Sequence, residues 1–182
     1  MREKAGEIAA FVMLQVATWV RGTALQGERV LATRTTPSGT QQHDRAVAVI
    51  EEEFFVLSAR KLVRWIGAAE AQKLIPGSTF EAVHNLKRAV IDVRDIREHA
   101  DQYIVYRKAK KQSEFHFAPK ERTGRIKYSS DATATIVLDG QYLIAWRLSV
   151  QSVLAAVAEG RDAFLRIISN DEQFRWITSV LA

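Results

Sequence analysis

The sequence predicts a mainly α, up-and-down helical bundle with a small β-hairpin insert before its C-terminal helix. Three observations predict it. Between Glu3 and Ala100, apolar residues recur at three- and four-residue spacing over long runs, the period of a helix with one buried face. Two breaks interrupt those runs, Thr33 to His43 (TRTTPSGTQQH) and Ile75-Pro76-Gly77, where turn residues or proline end a helix. Beyond Gly124 the period changes to alternation, Thr133 to Leu138 and Gln141 to Trp146, around the two-residue turn Asp139-Gly140.

Each element follows in order. A first helix is expected from about Glu3 to Val30, with Ile8, Phe11, Val12, Val16, Trp19 and Val20 on one core-facing side. Asp44 is a suitable N-cap for a second helix reaching Leu74, with Val49, Phe54, Leu57, Leu62, Trp65 and Ile66 as its apolar positions. Ser78 followed by Glu81 forms a capping box for a third. Its apolar series is Phe80, Val83, Leu86, Val90, Val93, Ile96 and Ala100. After the hairpin, a fourth helix runs from Ser149 to Ser169, and a short terminal helix follows Asn170. No internal repeat is visible. We read residues 1–182 as a single domain, with a basic loop and hairpin inserted at about 107–147.

Composition narrows the function classes. With 47% hydrophobic and 26% charged residues the chain has the makeup of a folded protein. It contains no cysteine, which excludes disulfides and thiolate metal sites and fits a reducing cytosol. The apolar run Ile8 to Val20 is shorter than the roughly 20 residues a bilayer span requires. Glu3 and Glu7 spoil a signal-peptide start. The expectation is a cytoplasmic protein with no membrane partner. The four histidines show no i,i+3 or i,i+4 pairing, so no metal site and no cofactor are expected. His84 reads as an ordinary helix residue. Glu51-Glu52-Glu53 spreads around a helix and reads as a partly solvated face. Trp19 and Trp65 suit the core or a dimer interface, and Trp146 suits packing of the hairpin on the bundle.

The net charge of +5 is concentrated. Residues 107–127 hold eight bases against Glu114 and Glu121, an excess of six charges, and the rest of the chain is near neutral. Lys108, Lys110, Lys111, Lys120 and Arg122 are the candidate RNA-binding cations, interleaved with Phe115, His116, Phe117 and Tyr128 for base stacking. A solvated loop is the alternative reading.

The third helix holds the candidate catalytic residues, in Arg94-Asp95-Ile96-Arg97-Glu98-His99. Arginine clamps phosphate with a planar fork of donors, and histidine exchanges protons near neutral pH. On a straight helix Arg94 and His99 diverge, whereas Asp95 and His99 share a face with Tyr103 beyond them. The structural alternative is a surface laced by the i,i+4 pairs Arg94–Glu98 and Arg97–Asp101.

Val93 to His99 resembles the signature of the HEPN superfamily (higher eukaryotes and prokaryotes nucleotide-binding domains). That signature is an arginine, a polar neighbour and a histidine four to six residues beyond the arginine, late in a long helix of a helical bundle. Arg94, Asp95 and His99 match it. The resemblance is specific over about fifteen residues, and the basic insert and hairpin lie outside it. It implies a metal-independent endoribonuclease working at a homodimer cleft, with toxin or antiviral-effector roles and an antitoxin or regulatory protein as a candidate partner. By the same resemblance His99 is the general acid or base, Arg94 stabilises transition-state charge, and Asp95 orients His99. Some toxin members carry a modified tyrosine two residues after the histidine; here that position is Asp101, which argues against that control. The alternative is a catalytically inactive HEPN-like module that binds RNA or a protein partner.

Overall fold

A computed structural model describes residues 2–35, 41–98, 116–117, 130–131 and 135–182. Among them are five α-helices: α1 (Arg2–Thr35), α2 (Gln41–Ala71), α3 (Glu81–Glu98), α4 (Val150–Asn170) and α5 (Thr178–Leu181). The fold is mainly α, with a small antiparallel sheet placed before α4, as the periodicity predicts.

The first four helices run up and down in turn, and particular contacts set the directions. Phe11, early in α1, packs edge-on against Trp65, late in α2, with ring centroids 5.6 Å apart. Glu70 near the end of α2 meets His84 near the start of α3 at 2.7 Å. Gly27 of α1 lies against Leu154 at the start of α4. Leu62, Val83, Val90, Val153 and Val157 bring α2, α3 and α4 together around a common apolar interior. The histidine read as ordinary thus ties two helices.

Boundaries differ from expectation in physically simple ways. By Gln41 the chain is already helical, so Asp44 lies within α2 rather than capping it. Helix α2 ends at Ala71, and Lys73 takes a left-handed φ of 57° before Pro76. The capping box at Ser78 is not used. Gly77–Phe80 forms a 3-10 turn capped by Pro76, which lacks a side-chain donor or acceptor, and leads into α3. At α4 the cap does form: the Ser149 hydroxyl accepts from the Ser152 amide at 3.0 Å.

Strand β3 (Ile136–Leu138) pairs antiparallel with β4 (Gln141–Ile144). Asp139 and Gly140 both sit at positive φ, 49° and 74°, the turn that matches right-handed strand twist. The structure adds a strand the alternation did not show: β5 (Leu148–Ser149) pairs with β4. Its turn puts Ala145 and Trp146 at φ 51° and 61°, closed by the Arg147 amide donating to the Ile144 carbonyl at 3.1 Å. Left-handed backbone costs a residue that bears a side chain about 1–2 kcal/mol, and no glycine relieves that cost at this turn. Two more short strands, β1 (His116–Phe117) and β2 (Ser130–Asp131), pair with each other.

The core contains Val12, Val16 and Val20 as expected, but Ile8 and Phe11 are exposed. In α2, Leu62 and Ile66 are buried while Val49, Phe54 and Leu57 face outward. The whole described series of α3 from Phe80 to Ile96 packs inward. Helix α1 extends well past Val20, and Lys4–Thr33 is long and apolar enough to cross a membrane by length and composition, with about a third of its most apolar stretch buried within the bundle.

One close approach is decisive for packing. A Cβ placed on Gly160 of α4 would lie 2.2 Å from Cδ1 of Phe80, whose ring is fully buried and tilted against Phe164 at 5.9 Å. Gly160→Ala gains about 1 kcal/mol of helix propensity but must displace a ring with nowhere to go. The expected net loss is about 1–3 kcal/mol, read as a lowered melting temperature.

Candidate functional site

The last two turns of α3 carry Arg94 and Asp95 of the candidate residues, and this part of the helix presents its side chains on two different sides. Ile96 and Arg97 point inward; Arg94, Asp95 and Glu98 lie at the rim. Arg94 is 40% exposed, with Nη1 donating to Asp95 Oδ1 at 3.1 Å and its other terminal nitrogen paired to the Glu98 carboxylate. The Arg94–Glu98 pair is the i,i+4 contact the spacing predicts. The hydrogen bond that Arg94 donates to Asp95 raises its pKa above the usual value, helped by the nearby Glu98 charge, so the guanidinium stays cationic at any working pH.

Asp95 is occupied by Arg94 rather than standing free. His99, which it is expected to orient, lies outside the described residues, as do Tyr103, Asp101 and the side chains of Lys108, Lys110, Lys111, Lys120 and Arg122. The cations of the basic window and the Arg97–Asp101 pair therefore fall outside the described region as well.

Arg97 has a different destination. Its side chain is only 7% exposed and reaches across to α2, where Nη2 donates to Glu52 Oε2 at 2.5 Å and Nη1 to Glu53 Oε1 at 2.8 Å. Glu52 is buried at 2% side-chain exposure. Thr135, just before β3, donates its hydroxyl to Glu52 Oε2 at 2.7 Å, and the Tyr142 hydroxyl of β4 donates to Glu52 Oε1. One carboxylate thus joins α2, α3 and the sheet. Arg97 Nε is buried with no acceptor among the described residues.

This corrects the reading of Glu51-Glu52-Glu53 as a solvated face. Glu53 is exposed, but Glu51 accepts from Gln26 of α1 and Glu52 is interior. A signal existed: Glu52 falls three, four and seven residues before Phe55, Val56 and Ala59, all core positions. Arg97 likewise completes the seven-residue series Val83, Val90 and so must enter the core. A buried ion pair holds only when its remaining lone pairs find donors, and the two hydroxyls supply them.

The chemistry of the described part is acid-rich: Arg94 faces Asp95 and Glu98, and Arg97 faces Glu52 and Glu53. Attraction for a polyanion must come from elsewhere on the chain. Among the described residues no three His, Asp or Glu side chains converge as a metal site. Compared with protein-family models, curated proteins and solved structures, the chain matches none.

Proposed function

We propose that this protein is a metal-independent endoribonuclease of HEPN type, with Arg94, Asp95 and His99 at a cleft shared by two copies of the chain. The observation that carries the reading is the division of labour on α3. Arg97 and Ile96 anchor the turn from within, while Arg94 and Asp95 stand half exposed at its rim. Exposed ion pairs contribute about 0–1 kcal/mol, so a phosphate offering Arg94 two charged oxygens can displace Asp95 and Glu98.

In the proposed step His99 takes the proton of an RNA 2′-hydroxyl as the 2′-oxygen attacks the adjacent phosphorus. The bond to the 5′-oxygen breaks, that oxygen takes up a proton, and a cyclic phosphate remains. Arg94 stabilises the charge gathered on the non-bridging oxygens. The cations of residues 107–127 hold the strand by phosphate contacts. A toxin or antiviral-effector role, restrained by an antitoxin or regulatory protein, is the biological setting this chemistry suits, and the cytoplasm is where RNA would meet it.

The acid pairing of Arg94 favours one second reading, an inactive HEPN-like module that binds RNA or a protein without cutting. Purified protein incubated with mixed cellular RNA in EDTA separates the two. Cleavage by the wild type and not by His99→Ala, with RNA affinity unchanged, is the expected result. Salt-sensitive binding without cleavage by either protein selects the binding module.

A further inference from the structure

We infer that the outward face of α2 is a self-complementary docking surface for a second copy of this chain, paired antiparallel about a two-fold axis at Leu57. The observation is a stripe of residues at helical spacing on the side of α2 away from the core. It contains Ile50, Phe54 and Leu57, exposed by 53%, 54% and 46%. Three apolar side chains half open on one stripe are an unusual surface for a chain with a well-filled interior. The edge-on contact of Phe11 with Trp65 carries the apolar surface across onto α1, where Leu25 is also exposed.

Charge along the stripe selects the occupant. The half of α2 before Leu57 carries Glu53, and the half after it carries Arg60, Lys61 and Arg64. Glu53 and Lys61 each lie four residues from Leu57, Phe54 and Arg60 each lie three, and Ile50 and Arg64 each lie seven. An antiparallel partner centred on Leu57 therefore places Glu53 against the partner's Lys61. Phe54 meets the alkyl stem and guanidinium of the partner's Arg60, and Leu57 meets its own copy. The two off-axis contacts each occur twice, and the Leu57 pair occurs once, on the two-fold axis. Parallel pairing would set acid on acid and base on base.

The surface also adjoins the α3 site, because Glu53 accepts from Arg97. At about 1.5 Å per residue the two Glu53 residues fall about 12 Å apart along the helix axes, so two motif turns approach one cleft. In that consequence the inference rests on the ribonuclease reading; the surface itself does not.

The chain has no cysteine, which makes a clean test available. Leu57→Cys under mild oxidation is expected to give a cross-linked dimer. Glu159→Cys, at an exposed position of α4, is not. By sedimentation the wild type is expected at twice 20.5 kDa, and Leu57→Glu at 20.5 kDa with an unchanged circular dichroism spectrum. Facing carboxylates should weaken the dimer by about 100-fold or more. A wild type that stays monomeric, a dimer indifferent to Leu57→Glu, or equal cross-linking at both cysteines overturns the proposal. So does a monomer that floats with anionic lipid vesicles, which would assign the face to a membrane surface. RNA cleavage by a monomeric wild type would sink both the interface and the shared cleft, and would spare only the assignment of Arg94 and His99 to the reaction. A Leu57-dependent dimer with no cleavage would uphold the interface and count against the nuclease.

Discussion

Glu52→Ala is expected to destabilise the protein by about 3 kcal/mol, the lower end of the range for breaking a buried ion pair. The loss comes less from the missing attraction than from what remains. Arg97 would keep a buried guanidinium with only the half-exposed Glu53 as its carboxylate partner, and the Tyr142 and Thr135 hydroxyls would lose this acceptor. Glu52→Gln retains shape and one acceptor oxygen, so a smaller loss is expected. Replacing both members, Glu52→Leu with Arg97→Met, should cost less than either single change, because no charge is then stranded in the core. Chemical denaturation with an unchanged m-value reads the difference. Near-additive effects of the two single changes would show that the side chains do not interact.

On the ribonuclease reading proposed above, His99→Ala and Arg94→Ala are expected to reduce RNA cleavage in EDTA by about 100- to 10,000-fold and about 100- to 1,000-fold respectively. The reasons differ. Loss of His99 removes the proton acceptor for the 2′-hydroxyl, so the pH–rate profile should flatten near neutrality. Loss of Arg94 removes a charge that the reaction needs most at its transition state, so the rate should fall more than RNA affinity. Arg94→Ala should lower stability by no more than about 1 kcal/mol, because its contacts are exposed pairs within its own helix. Asp95→Asn is informative beside them: it weakens the hold on Arg94 without emptying the site. Equal residual cleavage in wild type and both alanine variants would assign the activity to a contaminant.

The site was legible in part. The Arg94–Glu98 pair, which the structural alternative takes from helical spacing, is found as read. The partner of Arg97 was not legible, because Glu52 is 45 residues away and no local spacing links them. The third strand, β5, escaped because its turn uses Ala145 and Trp146, where turn chemistry would lead one to look for glycine or asparagine.

What the sequence alone determined is the long helices and the hairpin. The 3.6-residue period, the Asp139-Gly140 turn and the Ser149 cap are local, and local rules decide them. The tertiary structure decided which side of each element is inside. Helices α1 and α2, 34 and 31 residues long, carry more apolar side chains than one flank of a bundle covers. Ile8, Phe11, Phe54 and Leu57 were therefore left outward while Glu52 and Arg97 were taken in. Periodicity reports how often a face recurs, but burial depends on neighbours brought from far along the chain. Only those neighbours could offer Glu52 a cation and two hydroxyls.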